Sequence, residues 1–142
     1  MHVSAKTEYA CIAMLELAAS FTAGEPVQLR RIAKSHGIPS RFLVQILLQL
    51  KNAGLVSSTR GAAGGYRLAR NPADISMLDV VEAIEGGDTS LTSNTSPPSI
   101  AAEILIETWS IAADRQREVL RATNFAELAE RASGETEDMY YI

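Results

Sequence analysis

Two stretches of this sequence carry polar and cationic side chains at spacings that could hold a nucleic acid. In the first, Arg41, Gln45, Leu48 and Asn52 fall on one side of a helix taken at about 100° per residue, with Ser40 and Val44 along the edge of that side. Leu43, Ile46, Leu47 and Leu50 fall on the other side, and a helix buries such an apolar stripe against its neighbours. An amphipathic helix with Arg and Gln near its N-terminus, set after a short helix and a tight glycine turn, fits a helix-turn-helix. The second stretch is Arg60-Gly61-Ala62-Ala63-Gly64-Gly65-Tyr66-Arg67. Its glycines permit positive φ and close backbone approach, while Arg60 and Arg67 bring charge to the tip and along one strand. A glycine-rich loop can also cradle a nucleotide phosphate. Here no Gly-Lys-Ser/Thr follows and no helix opens after the glycines, so P-loop and dinucleotide sites fail on context.

The elements that must position these residues are legible from periodicity and punctuation. Residues 4–20 read as a helix apolar almost all round, hence buried. Gly24-Glu25-Pro26 breaks it, and a short second helix follows with Leu29, Ile32, Ala33 and His36 at helical spacing and Gly37 as its stop. Pro39-Ser40 opens the third helix and Gly54 ends it. Residues 55–60 then read as a strand, 61–64 as a turn and 65–69 as a returning strand: a hairpin directly after the third helix, the wing of a winged helix. Beyond Asn71-Pro72, Ser76 and Asp79 predict a capping box for a fourth helix with Leu78, Val81 and Ile84 as its stripe.

The rest of the chain changes character. Residues 86–98 form a polar Ser/Thr loop, expected to be mobile. A long helix is expected over 99–122, with Ile100, Ile104 and Ile111 on one flank and Leu105, Trp109, Ala112 and Val119 on the adjoining one. So wide a stripe exceeds what a small domain needs and invites a second chain; the alternative is that the helix folds back on its own domain. Asn124 and Glu127 predict a capped helix through Arg131, followed by an acidic, frayed tail at 133–142. The expected fold is mainly α with a small β-hairpin wing. It divides into a winged helix-turn-helix over 1–85, a flexible loop over 86–98, a dimerisation helix and C-terminal helix over 99–132, and the tail.

Composition narrows the function classes. The chain has 142 residues, of which 46% are apolar and 6% aromatic, enough for one helical domain built on Leu, Ile and Ala. Its net charge of −4 conceals a split. Residues 1–72 hold nine Lys/Arg against three Glu, and residues 73–142 hold four Arg against fourteen Asp/Glu. A basic front and an acidic back let one face be offered to phosphate. No apolar run is long enough to cross a bilayer and the N-terminal stretch lacks a secretory layout, so a cytoplasmic protein is expected. No nucleophile–base pair, carboxylate dyad or metal set stands at a meaningful spacing, which argues against an enzyme.

Tyr9-Ala10, Leu29 with Ile32-Ala33, Gly37-Ile38, Leu43 with Gln45-Ile46-Leu47, the run from Leu50 to Val56 and above all Arg60-Gly-x-x-Gly-Gly-Tyr-x-Leu68 together resemble the Rrf-two family of IscR-, NsrR- and CymR-like regulators. The resemblance is close over residues 1–85 and looser through the long helix and the Phe125–Ala129 segment. It implies a homodimer in which the long helices cross, and two winged heads on a palindromic double-stranded DNA site. It also implies that the third helix enters the major groove and that the wing arginine reaches the minor groove. The DNA-contacting set carried over is then Ser40, Arg41, Val44 and Gln45 on the helix, with Arg60, Gly61, Gly64 and Arg67 in the wing. The dimer contacts are Ile100, Ile104, Trp109 and Ile111. Elementary chemistry agrees, since Arg pairs bidentately with guanine, Gln with adenine, and a narrow minor groove attracts Arg.

The sequence also departs from that family. Many members hold an iron–sulfur cluster through three cysteines between the fourth and long helices, and the stretch from Gly86 to Ser99 contains neither Cys nor His. Iron–sulfur clusters need thiolate or imidazole ligands, so no cluster and no cofactor is expected. Glu8, where some members offer a carboxylate ligand, then reads as a surface or capping group. Val44 stands where cluster-sensing members carry Glu, which points to a different operator and to contact with a thymine methyl. The one cysteine, Cys11, cannot form an internal disulfide, and its apolar neighbours suggest a buried, inert thiol rather than a redox sensor. His2 and His36 have no metal-ligand spacing with it, and Trp109 reads as core or dimer interface before a ligand platform. The expected function is a DNA-binding repressor or dual regulator controlled by a small molecule, a protein partner or its own abundance. The rival is a winged helix used as a protein-interaction module.

Overall fold

The computed structural model describes residues 2–87 and 90–141, the stretch 135–141 by its backbone alone. It is mainly helical with one two-stranded antiparallel hairpin. Helix α1 (Ala5–Ala19) starts where the Ser4 side chain accepts a hydrogen bond from the Thr7 N–H at 3.1 Å, which satisfies one of the donors a helix start leaves open. It runs through the centre of the core, burying Ala10, Ala13, Met14 and Leu17. Helix α2 (Leu29–His36) stops at Gly37, whose φ of 65° is the left-handed cap that glycine adopts without strain. It buries Ile32 and Ala33, but His36 does not join them: the ring is exposed and meets the Glu16 carboxylate of α1 at 2.7 Å. In helix α3 (Ser40–Asn52) the buried residues are Leu43, Ile46, Leu47 and Leu50, the stripe expected from the sequence.

The wing is made by β1 (Val56–Thr59) and β2 (Gly65–Leu68), paired Val56 to Leu68, Ser57 to Arg67, Ser58 to Tyr66 and Thr59 to Gly65. It is not a free-standing hairpin. Tyr66 also bridges Val27 through two backbone hydrogen bonds of 2.8 Å, so the chain entering α2 lies as a third, one-residue strand against β2. The double glycine is required here. A Cβ at Gly64 would land on the Thr59 carbonyl oxygen, and one at Gly65 would lie 2.6 Å from the Val27 carbonyl oxygen.

A short 3-10 turn (Pro72–Asp74) leads to α4 (Met77–Glu85), whose capping box forms: the Ser76 hydroxyl accepts from the Asp79 N–H at 3.1 Å and the Asp79 carboxylate from the Ser76 N–H at 2.9 Å. The buried face of α4 is rotated from the expected one. Val80 joins Leu78 in full burial, whereas Val81 and Ile84 are only partly covered, because α4 packs against both α1 and α3. The expected mobile loop includes Asp88 and Thr89, which lie outside the described residues; the described remainder of 86–98 holds no helix or strand.

Helix α5 (Ile100–Ala122), capped by Ser99, is a different kind of element. It spans 23 residues and none is buried. Its half-covered positions Ala102, Ile106, Ser110, Ala113, Arg117 and Leu120 form one stripe, along which it leans on α4, fixed by an Arg117–Glu82 ion pair of 2.8 Å. Helix α6 (Phe125–Tyr141) begins with the Asn124 side chain accepting from the Glu127 N–H at 2.9 Å. It runs beyond Arg131, where the sequence suggested an end, and continues through Gly134 and the acidic stretch that had read as a frayed tail. Its first turn returns to the head: Phe125 is fully buried and its N–H donates to the Ile75 carbonyl at 3.0 Å. The core of the head therefore draws on this C-terminal helix as well as on residues 1–85.

Candidate nucleic-acid interface

The polar side of α3 is free. Ser40, Arg41, Val44, Gln45 and Leu48 are all exposed, as are Lys51 and Asn52 further along. The reason is local. The four leucine and isoleucine side chains of the stripe hold one side of the helix in the core, and 3.6 residues per turn leave the others outside. The Arg41 guanidinium lies over the Phe42 ring at 5.0 Å from its centroid, within cation–π reach, so its charge is held on the helix surface near the N-terminal end. Lys51 donates to the Ser58 hydroxyl at 2.8 Å and ties the end of α3 to the wing.

In the wing, Arg60 and Gly61 are exposed at the tip and Arg67 is exposed on β2. Gly61 has a φ of 103°, a conformation that favours glycine. Gly64 is buried, with its amide donating to the Gly61 carbonyl at 3.0 Å, so it shapes the turn from beneath. The Gln28 side chain reaches across to the Ala62 carbonyl at 3.3 Å and steadies the same tip. Among the described residues none of Arg41, Arg60 and Arg67 forms an ion pair. Unpaired cations on an exposed helix face and on a rigid hairpin are suited to phosphate and base edges. The set expected from the sequence thus falls into two groups, one on α3 and one in the wing.

Sequence reasoning passed over part of this surface. Phe42, assigned to neither side of α3 from the sequence, is 48% exposed and stands beside Val44 and Leu48, 49% and 55% exposed, so α3 presents three large apolar side chains beside its polar ones. Lys6 and Tyr9 of α1, together with Ala5, face Phe42, Gln45 and Ile46 across a groove of about 430 Å³. Their spacing of three residues was the available signal, hidden because α1 reads as apolar nearly throughout.

A second cavity, of about 250 Å³, lies where α1, α4 and α5 meet and is lined among others by Thr7, Glu8, Cys11, Met77, Glu85 and Leu120. Thr7 is buried, and its hydroxyl donates to the Glu85 carboxylate at 2.7 Å. Burial, together with the Glu85 charge, pushes the Cys11 thiol up to about 11; it is neutral at physiological pH and a poor nucleophile or metal ligand. Glu8 lines this cavity rather than α1's groove with α3. An iron–sulfur cluster does not fit these donors: the chain has one cysteine and two histidines, the thiol is held protonated, and His36 is engaged by Glu16. Among the described residues no group of three His, Cys, Asp or Glu stands at metal-binding distance.

On α5, Ile100, Ile104, Leu105, Trp109, Ile111 and Val119 are all exposed, Ile100 at 76%. They occupy the arc opposite and beside the stripe that leans on α4. The helix folds back on its own domain only along the stripe that meets α4, and these six side chains stay outside it. No helix among the described residues is long and apolar enough to cross a membrane.

Comparison with known proteins places this arrangement. The sequence model of the Rrf2 family, described as iron-dependent transcriptional regulator, matches residues 3–131. The HTH-type transcriptional regulator CymR of Bacillus subtilis is 35% identical over 150 residues, covering 100% of both chains. Among solved structures, that of CymR, described as the global cysteine regulator of B. subtilis, superposes with a TM-score of 0.79 at 34% identity over 92% of this chain and 98% of the other. The structure of T. potens IscR superposes with a TM-score of 0.77 at 36% identity over 93% of this chain and 88% of the other.

Proposed function

The chain belongs to the Rrf2 family of DNA-binding transcriptional regulators, and we propose that it acts as a homodimeric repressor that grips a palindromic operator without an iron–sulfur cluster. In this reading the winged head over 1–85 reads DNA, the segment 86–98 links it to α5, and residues 99–132 join the two copies. Ser40, Arg41, Val44 and Gln45 meet base edges and phosphates in the major groove. Arg60, with the backbone at Gly61, enters the minor groove, Gly64 sets the turn that aims it, and Arg67 meets phosphate. Val44 and Leu48, one turn apart and both exposed, favour thymine methyl groups over a polar base edge.

The observation that carries the dimer is α5. A helix of 23 residues with no buried position and a run of exposed Ile, Leu and Trp side chains leaves apolar area in water at about 25 cal/mol per Å². A second copy related by a two-fold axis covers it with the same face, Ile100, Ile104, Trp109 and Ile111 included. Two heads held at a fixed spacing match a palindrome of half-sites. A protein of this build acts most directly by occupying a promoter, hence repression, and its target places it in the cytoplasm. A small molecule, a protein partner or the protein's own abundance supplies the signal. The rival, a winged helix given over to protein contact, is disfavoured by the unpaired arginines of α3 and the wing.

Fluorescence anisotropy with duplex DNA from the protein's own promoter, beside a scrambled duplex, tests the reading. Binding should prefer the promoter duplex and fall with salt. Equal, weak binding to both duplexes that Arg60→Ala leaves untouched would sink it.

A further inference from the structure

Helix α1 turns two unlike sides to the rest of the chain. Thr7, Glu8 and Cys11 line the cavity shared with α4 and α5. Lys6 and Tyr9, three residues apart and so adjacent on the helix surface, open instead onto α3. Lys6 is exposed, and Tyr9 is half-buried with its ring packed on the core. Neither the Lys6 ammonium nor the Tyr9 hydroxyl has a polar partner among the described residues. The groove between them and α3 is lined by Ala5, Lys6, Tyr9, Phe42, Gln45 and Ile46, with no carboxylate among them. Ala5 leaves its floor open. Its far wall carries Gln45, already on the outward side of α3, and Phe42, over which the Arg41 guanidinium lies. The groove is thus continuous with the DNA-reading face and carries the charge complementary to a phosphate.

We propose that this groove seats one phosphate–deoxyribose unit of the strand that borders the major groove entered by α3. The Lys6 ammonium pairs with the phosphate, the Tyr9 hydroxyl donates to one of its oxygens, and the Phe42 ring lies against the sugar. The proposal rests on the reading that α3 contacts DNA and adds to it a second, sequence-blind anchor from a helix outside the helix-turn-helix. Such contacts fix the register of a recognition helix without carrying sequence information themselves. Tyr9 suits the role because a ring packed on the core points its hydroxyl with little loss of freedom, and Lys6 because a compact ammonium serves as a point charge for phosphate.

The test uses the full chain, the promoter duplex and the scrambled duplex, over a series of salt concentrations. Lys6→Ala should lower the slope of log K against log salt by about 0.9 for each anchored phosphate. It should weaken binding to both duplexes by a similar factor, leave the preference between them intact, and be rescued by Lys6→Arg. Tyr9→Phe, which keeps the ring in the core, should weaken both by about two- to tenfold, the range of one hydrogen bond, with the salt slope unchanged. Single methylphosphonate substitutions walked along the duplex should find one position per half-site that weakens the wild type and not Lys6→Ala. An unchanged slope in Lys6→Ala, or no position at which the two changes fail to add, overturns the anchor. If Arg60→Ala still weakens the promoter duplex more than the scrambled one in that case, DNA reading by α3 and the wing stands and only the anchor falls. If neither variant has any effect, the DNA reading itself fails.

Discussion

Helices α3 and α5 both show large apolar side chains to solvent, and they do so for opposite reasons. In α3 one stripe is fully buried, so the helix is already anchored; Phe42, Val44 and Leu48 are exposed on its free side among Arg41, Gln45 and Lys51. In α5 nothing is buried, and the exposed Ile, Leu and Trp arc lies beside Glu103, Glu107 and Asp114, with Arg115 paired to Glu118 at 3.2 Å. Apolar groups mingled with unpaired cations suit a polyanion that also carries methyl groups, which is what a thymine-bearing major groove is. Apolar groups bordered by carboxylates repel that polyanion and suit another protein surface. Exposure alone would have marked both helices as interfaces; the neighbouring charge supports the proposed assignment of DNA to α3 and of a second copy to α5.

The contrast can be broken at α5 first, where the expected effect is largest. Ile104→Glu combined with Trp109→Glu should leave a folded monomer by light scattering. Affinity for a two-half-site duplex should then drop by about a hundredfold or more, the factor gained by joining two binding heads. A double variant that stays dimeric refutes the assignment of that face. Next comes Cys11, at the joint between the head and α5. With its thiol raised from an ordinary 9.0 to about 11, its thiolate fraction near neutral pH is lower by about two orders of magnitude, and iodoacetamide should label it correspondingly more slowly than a free thiol. The folded pKa lies above the unfolded one, so the stability gained by burying a neutral thiol is present below about pH 9 and is lost as pH rises toward 11. Urea unfolding across that window should show the loss in the wild type and less of it in Cys11→Ala.

Smaller effects sharpen the α3 side. Arg60→Ala should weaken the promoter duplex by about tenfold or more, the scale of ~1–3 kcal/mol for a well-placed arginine, and the scrambled duplex by less. Last, replacing thymine by uracil within a half-site should cost the wild type a few-fold in affinity, about 0.8 kcal/mol for each methyl removed from contact. Val44→Ser should be indifferent to the same replacement. An equal response of both proteins to uracil would separate Val44 from the methyl groups and leave its exposure on α3 without a DNA role.

Much of the head was legible because its signals are local. The α3 stripe, the left-handed stop at Gly37 and the Ser76–Asp79 capping box each follow from residues within one or two turns of each other. What escaped depends on contacts between distant segments. Val27 carries no strand pattern, since a one-residue strand has no alternation to read, yet it completes the sheet through Tyr66. Val81 and Val80 are both apolar, and only the simultaneous approach of α1 and α3 decides that Val80 turns inward. His36 kept the helical spacing of a core residue, but Glu16 from another helix draws it to the surface. The extent of α6 was misjudged because Gly134 and the acidic run disfavour helix locally, by roughly 1 kcal/mol for the glycine, and that penalty does not end the helix. Of the residues proposed to meet DNA, Arg41, Gln45 and Arg60 were legible as exposed polar groups from residue type and spacing. Lys6 and Tyr9 were not, because a groove between α1 and α3 exists only once the two helices are packed.

The Val27–Tyr66 bridge reaches beyond the sheet it completes. Because the segment that launches α2 is stitched to β2, and Lys51 of α3 is tied to Ser58 of β1, the hairpin is braced against the helix proposed to enter DNA. The head then behaves as a caliper with locked jaws. Inserting one base pair between the step under α3 and the step under Arg60 displaces one from the other by about 3.4 Å along the duplex and turns it round the axis. On the proposed reading, such jaws can follow only if the DNA deforms, and spacing within each half-site is then read along with its sequence.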